Sequence, residues 1–248
     1  MKLSEKYRPM DWPDFVGQDK AVRKIQAYVA TNRHGGRVFL FQGESGSGKT
    51  SAAMCVCKDL GIAEHRHTLR QLQNGAAINL RFVNGRDMDL ATVEEVNDWL
   101  QHIPFGPEGC RKALVVDEAQ EMTRLTQNRL LTVFEIVPEF ATVILTTTDA
   151  RRMTRDAKQG DLLASGAPDR KSAFGSRLTV IHFEKPHTEK ITARLEEIAF
   201  KETGNGVGFD YKTIIRLGGC NVRACIDALD DQIIEAMAQG GEKEAPVM

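Results

Sequence analysis

Gly43-Glu44-Ser45-Gly46-Ser47-Gly48-Lys49-Thr50 matches G-x-x-x-x-G-K-[ST] at every fixed position. Glycines let the backbone curl so that successive N–H groups point inward, at the oxygens of a phosphate. Lys49 can reach β- and γ-phosphates, and the Thr50 hydroxyl can ligate Mg²⁺. The loop and the adjoining Ser51 are the expected contact surface for ATP. Residues 37–42 read as a buried strand, and residues 50–60 as a helix whose positive N-terminal end adds to anion binding. Strand, loop and helix in that order are the context the motif needs, so the chain is expected to bind a nucleoside triphosphate.

The 248 residues are enough for a nucleotide domain with a small satellite. A hydrophobic content of 42% is that of an ordinary globular chain. No apolar run approaches a membrane span, and the first residues lack a signal-peptide core, so the expected location is the cytoplasm. The five cysteines include no C-x-x-C pair, and structural zinc is not expected. A formal net charge of −1 excludes a generally basic nucleic-acid coat but leaves room for a local basic surface.

Outward from the loop, residues 20–31 follow a helical pattern. Residues 80–84 suggest a second strand, and Leu90, Val93, Val96 and Leu100 give a helix with one apolar face. Residues 113–116, 142–146 and 178–183 are further apolar, β-branched runs. Such continuous runs separated by helices predict an α/β fold: a five-stranded parallel sheet covered on both faces. After Pro186 the texture becomes helical only. Ile191, Leu195, Ile198 and Ala199 form one stripe, and Val222, Ile226, Leu229 and Ile233 another. The expected organisation is a nucleotide-binding domain over 1–185, a helical lid over 186–240 and a frayed tail over 241–248. Residues 149–175 stand apart, a long segment of weak periodicity, rich in Gly, Ser, Asp, Arg and Lys.

Residues 113–118 have the form of a Walker B strand, four apolar residues running into Asp117 and Glu118. Asp117 is expected to hold Mg²⁺ through water and Glu118 to polarise an attacking water, which suits phosphoryl transfer. Arg223 opens a helix, a poor position for a cation in dipole terms, so a phosphate partner is its better explanation.

The motifs in sequence resemble those of AAA+ ATPases of the clamp-loader group, the motor subunits of the bacterial loader and of replication factor C. Tyr7-Arg8-Pro9 with Val16-Gly17-Gln18 resembles the group's N-terminal motif, which wraps the adenine. Asp117-Glu118-Ala119-Gln120 with Met122-Thr123 and Gln127-Asn128 resembles its extended Walker B box. The resemblance implies that Asn84 restrains the catalytic glutamate, that Thr148 is the sensor 1 residue near the γ-phosphate, and that Arg223 is sensor 2. It further implies that Arg177, in Ser176-Arg177, reaches the nucleotide of a neighbouring subunit as an arginine finger. These matches run in family order over about residues 5 to 235.

Three departures accompany the resemblance. No counterpart of the group's helical collar domain is expected after the helix that follows Arg223, and assembly is expected to rest on base contacts, nucleotide, DNA or a companion protein. Leu178 stands where the group has the cysteine of Ser-Arg-Cys, and the zinc insertion of bacterial motor subunits is missing. The 149–175 insert carries Arg151, Arg152, Arg155, Lys158, Arg170 and Lys171, cations suited to backbone phosphates rather than to base reading. Two functions follow as expectations. One is an oligomeric ATPase that loads or remodels a replication or recombination factor on DNA, a sliding clamp among the candidate partners. The other is a remodelling or regulatory ATPase whose target is a polypeptide.

Overall fold

The computed structural model describes residues 1–150, 177–204 and 208–241. Its strands are β1 Arg37–Gly43, β2 Leu80–Asn84, β3 Lys112–Asp117, β4 Ala141–Thr147 and β5 Leu178–Phe183. The helices are α1 Leu3–Lys6, α2 Asp19–Ala30, α3 Lys49–Asp59, α4 Leu69–Gln73, α5 Leu90–Gln101, α6 Arg124–Glu135, α7 Thr188–Thr203, α8 Tyr211–Leu217 and α9 Val222–Gly241.

The strands form one sheet in the order β2-β3-β4-β1-β5, parallel at every pairing. This is the five-stranded parallel sheet the apolar runs predict. Each run serves two faces, because successive side chains of a strand point to opposite sides. Phe39, Phe41, Ala113, Val115 and Ile144 face one core, built with α3 and α2. Val38, Leu40, Leu114, Val116, Val143 and Leu145 face the other, built with α5 and α6. A strand buried on both sides has no polar positions to alternate, hence the continuous runs.

Lys112, at the start of β3, is buried. Its ammonium donates to the carbonyls of Trp99 (2.6 Å) and His102 (2.7 Å) and lies 4.2 Å from the centre of the Trp99 ring. Those carbonyls belong to the end of α5, where the helix presents partial negative charge. Burial pulls the Lys112 pKa down from its ordinary value.

After β5 the chain forms the helical lid. Ile191, Leu195 and Ile198 of α7, Ile214 of α8 and Cys225, Ile226, Leu229 and Ile233 of α9 make a third core. Leu3 belongs to that core as well, and its backbone N–H donates to Asp230 Oδ2 at 2.9 Å. The start of the chain, assigned by sequence to the 1–185 domain, therefore packs on the lid. A four-residue helix has too little surface to hold itself together and takes its stability from that contact.

Two smaller differences concern helix ends. Leu90 is 41% exposed, in the first turn of α5 after the Asp89 N-cap, so the buried stripe begins at Val93. The last helix runs on to Gly241, inside the stretch expected to fray. Residues 242–248 lie outside the described residues, as does the 149–175 insert beyond Ala150.

Two outcomes are expected. Ile144→Ala, in the wholly buried central strand, should lower unfolding stability by about 2–5 kcal/mol, read as a fall in the denaturant midpoint at constant slope. Burial pushes the thiols of Cys55 and Cys57 up to about 12. Alkylation of the native chain near neutral pH should therefore modify half-exposed Cys110 well before either of them. Native labelling of Cys57 as fast as Cys110 would contradict the packing of α3.

Candidate active site

The phosphate loop joins β1 to α3 at the carboxyl end of the sheet, where ligands of open parallel sheets are held. Gly46 (φ 71°) and Gly48 (φ 96°) take left-handed backbone conformations that favour glycine. A Cβ at Gly46 would fall 2.2 Å from Asn221 Oδ1, and one at Gly48 3.0 Å from the Phe15 ring. Gly48 is the N-cap of α3, so the first turn of that helix turns its N–H groups toward the loop.

Above the loop lies a cavity of about 530 Å³ between the sheet and the lid. Ser45, Gly46, Ser47, Gly48, Lys49, Thr50 and Ser51 line its floor. Tyr7, Arg8, Pro9 and Val16 line it from the N-terminal segment, Asp117 and Glu118 from the end of β3, and Arg223 from the lid. Gly43 and Glu44 lie beneath, their carbonyls accepting from the Lys49 ammonium at 2.9 and 2.8 Å. Leu69, Arg70 and Gln73 of α4 also line the cavity, as do Phe15, Arg194 and Ile226.

Lys49, Arg8 and Arg223 converge here, with Arg70 and Arg194 also on the cavity wall. Lys49 is 5% exposed, and burial pulls its pKa down; Glu118 and Asp117 oppose that shift, and Arg223 adds to it. Arg8 is lowered too, first by burial and next by the charge of Arg223. Its Nε donates to Ser51 Oγ at 3.2 Å, and its Nη1 lies 3.4 Å from Glu5. Two desolvated cations, Lys49 and Arg8, each repelled by exposed Arg223, are relieved by an anion placed among them, which is the electrostatic fit of this cavity to a polyphosphate.

The Asp117 carboxylate is held by hydroxyls. Asp117 Oδ1 accepts from Thr50 Oγ1 (2.7 Å) and from Thr146 Oγ1 (2.6 Å). Thr146 is fully buried at the end of β4 and also accepts the Glu118 N–H at 3.1 Å. One hydroxyl thereby links the Asp117 carboxylate to the Glu118 backbone. Glu118 itself has φ 53°, a left-handed conformation that turns its side chain away from the strand. Thr50 and Asp117, with their oxygens adjacent at the loop, are the donor set suited to Mg²⁺.

Asn84 and Thr148 have further partners that the fold supplies. Asn84 pairs in register with Asp117, but its Oδ1 caps the turn Gly85–Asp87 by accepting the Arg86 N–H at 3.0 Å. The side chain that contacts the Glu118 carboxylate is Gln120, which also bonds Thr148. The helical turn after Asn84 draws its side chain into a local cap, the preferred use of asparagine there.

Two residues expected to face ATP are committed elsewhere as well. The Tyr7 hydroxyl donates to Glu202 of α7, and burial followed by that partner pushes its pKa up to about 12. Arg177, immediately before β5, forms an ion pair with Glu135 at the end of α6 and does not line this chain's cavity. Ser176 lies outside the described residues. The lid reaches the loop through Asn221, whose Nδ2 donates to Ser45 O at 2.8 Å.

The family described as DNA polymerase III, delta subunit, matches residues 17–155, more than half of the chain. The DNA polymerase III subunit tau of Escherichia coli is 29% identical over 167 residues, 61% of this chain and 24% of that protein. The replication factor C small subunit of Methanococcus vannielii is 24% identical over 225 residues, 91% of this chain and 62% of that protein. The chain thus spans less than two thirds of either relative. A RuvB variant of Thermotoga maritima superimposes with a TM-score of 0.63 at 15% identity, over 95% of this chain and 68% of that one, a likeness of fold. With the phosphate loop, the paired acids and the lid in place, this chain belongs to the DNA polymerase III delta-subunit family, with the AAA+ fold of clamp-loader-type subunits.

Proposed function

We propose that the chain is a motor subunit of an oligomeric, ATP-hydrolysing assembly that acts on DNA in replication or recombination, loading or remodelling a DNA-bound factor. The observation that carries the ATPase reading is the convergence of Lys49, Arg8 and Arg223 on a cavity whose far wall holds Asp117 and Glu118. The DNA arm is supported by the replication relatives, among them replication factor C. The cationic 149–175 insert lies outside the described residues apart from Asp149 and Ala150.

In this reading the loop N–H groups and Lys49 bind the β- and γ-phosphates, and Arg8 and Arg223 close over them. Thr50 and Asp117 would hold Mg²⁺, which when bound neutralises phosphate charge. Glu118 takes a proton from water as the water oxygen forms its bond to the γ-phosphorus. The bond from phosphorus to the bridging oxygen breaks, and ADP leaves with that oxygen. Arg177 serves the nucleotide of a neighbouring subunit, which ties hydrolysis to assembly. In the isolated chain Glu135 holds it in an ion pair.

A protein partner has a surface of its own. Ile78, Ile103 and Phe105 are all more than 60% exposed. Asn79 fixes them together, donating to Phe105 O and accepting the Phe105 N–H, both at 2.8 Å. They precede β2 and β3, at the end of the sheet away from the phosphate loop. A partner docked there would leave the nucleotide cavity open.

Steady-state ATP hydrolysis measured over a range of protein concentrations, with and without primed DNA at two salt levels, tests the proposal. Turnover per chain should rise with concentration and DNA and fall with salt. Indifference to DNA would move the target to a polypeptide. Lys49→Ala should weaken ATP binding by about 100-fold, equivalent to about 2.7 kcal/mol. Glu118→Gln should bind ATP and accumulate the assembled state. Arg177→Ala should bind ATP normally and lose about a thousandfold in turnover; undiminished turnover would remove its role between subunits.

A further inference from the structure

Gln120 lies in the short turn Ala119–Glu121, half-buried between the end of β3 and the end of β4. Its amide makes three hydrogen bonds to two residues. Nε2 donates to the Glu118 carboxylate and to Thr148 Oγ1 (3.0 Å), and Oε1 accepts the Thr148 backbone N–H (3.2 Å). The backbone N–H settles which way the amide faces, because only the oxygen can accept it. Nε2 must then face Glu118. The Thr148 hydroxyl, already accepting from Gln120, keeps its own proton for another acceptor.

We infer that Gln120 is a positioning residue for hydrolysis, one amide that orients the Glu118 carboxylate and at the same time turns the Thr148 hydroxyl proton toward the transferring phosphate. The inference rests on the reading of this cavity as an ATPase site. Its physical content is a coupling. Glu118 hangs from a left-handed backbone position and so is not steered by its strand. One of its carboxylate oxygens is engaged by Gln120, which leaves the other for water. A base and a phosphate-sensing hydroxyl that share one amide keep a fixed relation to each other, and small errors in such placement are costly in rate. The hydrogen bond to the Glu118 carboxylate comes from Gln120, while the Asn84 Oδ1 accepts the Arg86 N–H.

The test compares Gln120→Ala with Gln120→Glu. The second is isosteric and keeps the acceptor for the Thr148 N–H but loses both donated bonds. Both should lower kcat about 10- to 100-fold while ATP affinity stays within about twofold and the thermal midpoint is little changed. A second readout needs no turnover. Affinity for ADP with aluminium fluoride, which mimics the transferring phosphoryl, should fall by a similar factor while affinity for ADP alone holds. Gln120→Ala placed on Thr148→Val, or on Glu118→Gln, should cost less than it does in the wild type, because one of its two partners is already altered. An unaltered kcat in Gln120→Ala, or losses that multiply in the double variants, would overturn the inference and leave the ATPase reading standing. A parallel loss of ADP affinity and stability would reduce Gln120 to a packing role and likewise overturn it. A wild-type chain that hydrolyses no ATP with DNA at high concentration would remove both together.

Discussion

A lysine ammonium taken nearly out of water is the constraint around which this molecule is arranged. The Lys49 ammonium donates to two loop carbonyls, and two carboxylates across the cavity oppose the downward pull of burial on its pKa. Those carbonyls face inward because the loop glycines curl the chain, and the loop starts where it does because β1 is buried between β4 and β5. The carboxylates are in reach because β3 ends beside β4, whose Thr146 hydroxyl spans from one acid to the backbone of the next. Sheet order, loop curvature and the chemistry of the cavity are thus consequences of one another.

The site shows how parallel sheets build polar clusters from apolar strands. Between Lys112 and Asp117 of β3, and between Thr142 and Thr146 of β4, every position is aliphatic, and the polar groups of the site lie at the carboxyl ends, where the next loop departs. A buried threonine hydroxyl there is satisfied twice, as donor to Asp117 and acceptor from Glu118, so its burial carries no desolvation deficit. Gln120 repeats the pattern one residue layer further out, with an amide in place of the hydroxyl.

How much of this the sequence discloses depends on how local each feature is. The strands are legible because burial on both faces demands unbroken β-branched runs. The phosphate loop is legible because its geometry needs glycine at fixed spacing. Thr146 reads as the polar end of a strand; its role exists only because β4 lies between β1 and β3, an order no single segment encodes. The choice between Asn84 and Gln120 turns on the left-handed backbone at Glu118 and on a turn that occupies Asn84, both invisible to pattern. Helix α4 has a capping box, Thr68 with Gln71, but five residues are too few to display a helical period. The contacts of Leu3 with Asp230 and of Tyr7 with Glu202 join residues about two hundred positions apart and leave no trace in either neighbourhood.

The attachment of the first helix to the last has a mechanical corollary. Tyr7, Arg8 and Pro9 form one wall of the cavity, yet the segment is fastened to the lid by Leu3 and Tyr7, while the floor is rooted in the sheet. Across the seam between them run polar stitches, Asn221 to Ser45, Arg8 to Ser51, Lys190 to Asp19 and Arg194 to Asp14. Hydrogen bonds and surface ion pairs of this kind exchange with water at small net cost, whereas parting an apolar core does not. A tilt of the three lid helices therefore drags a wall of the chamber with it and unzips a wet join, so that opening the lid and widening the mouth are a single movement.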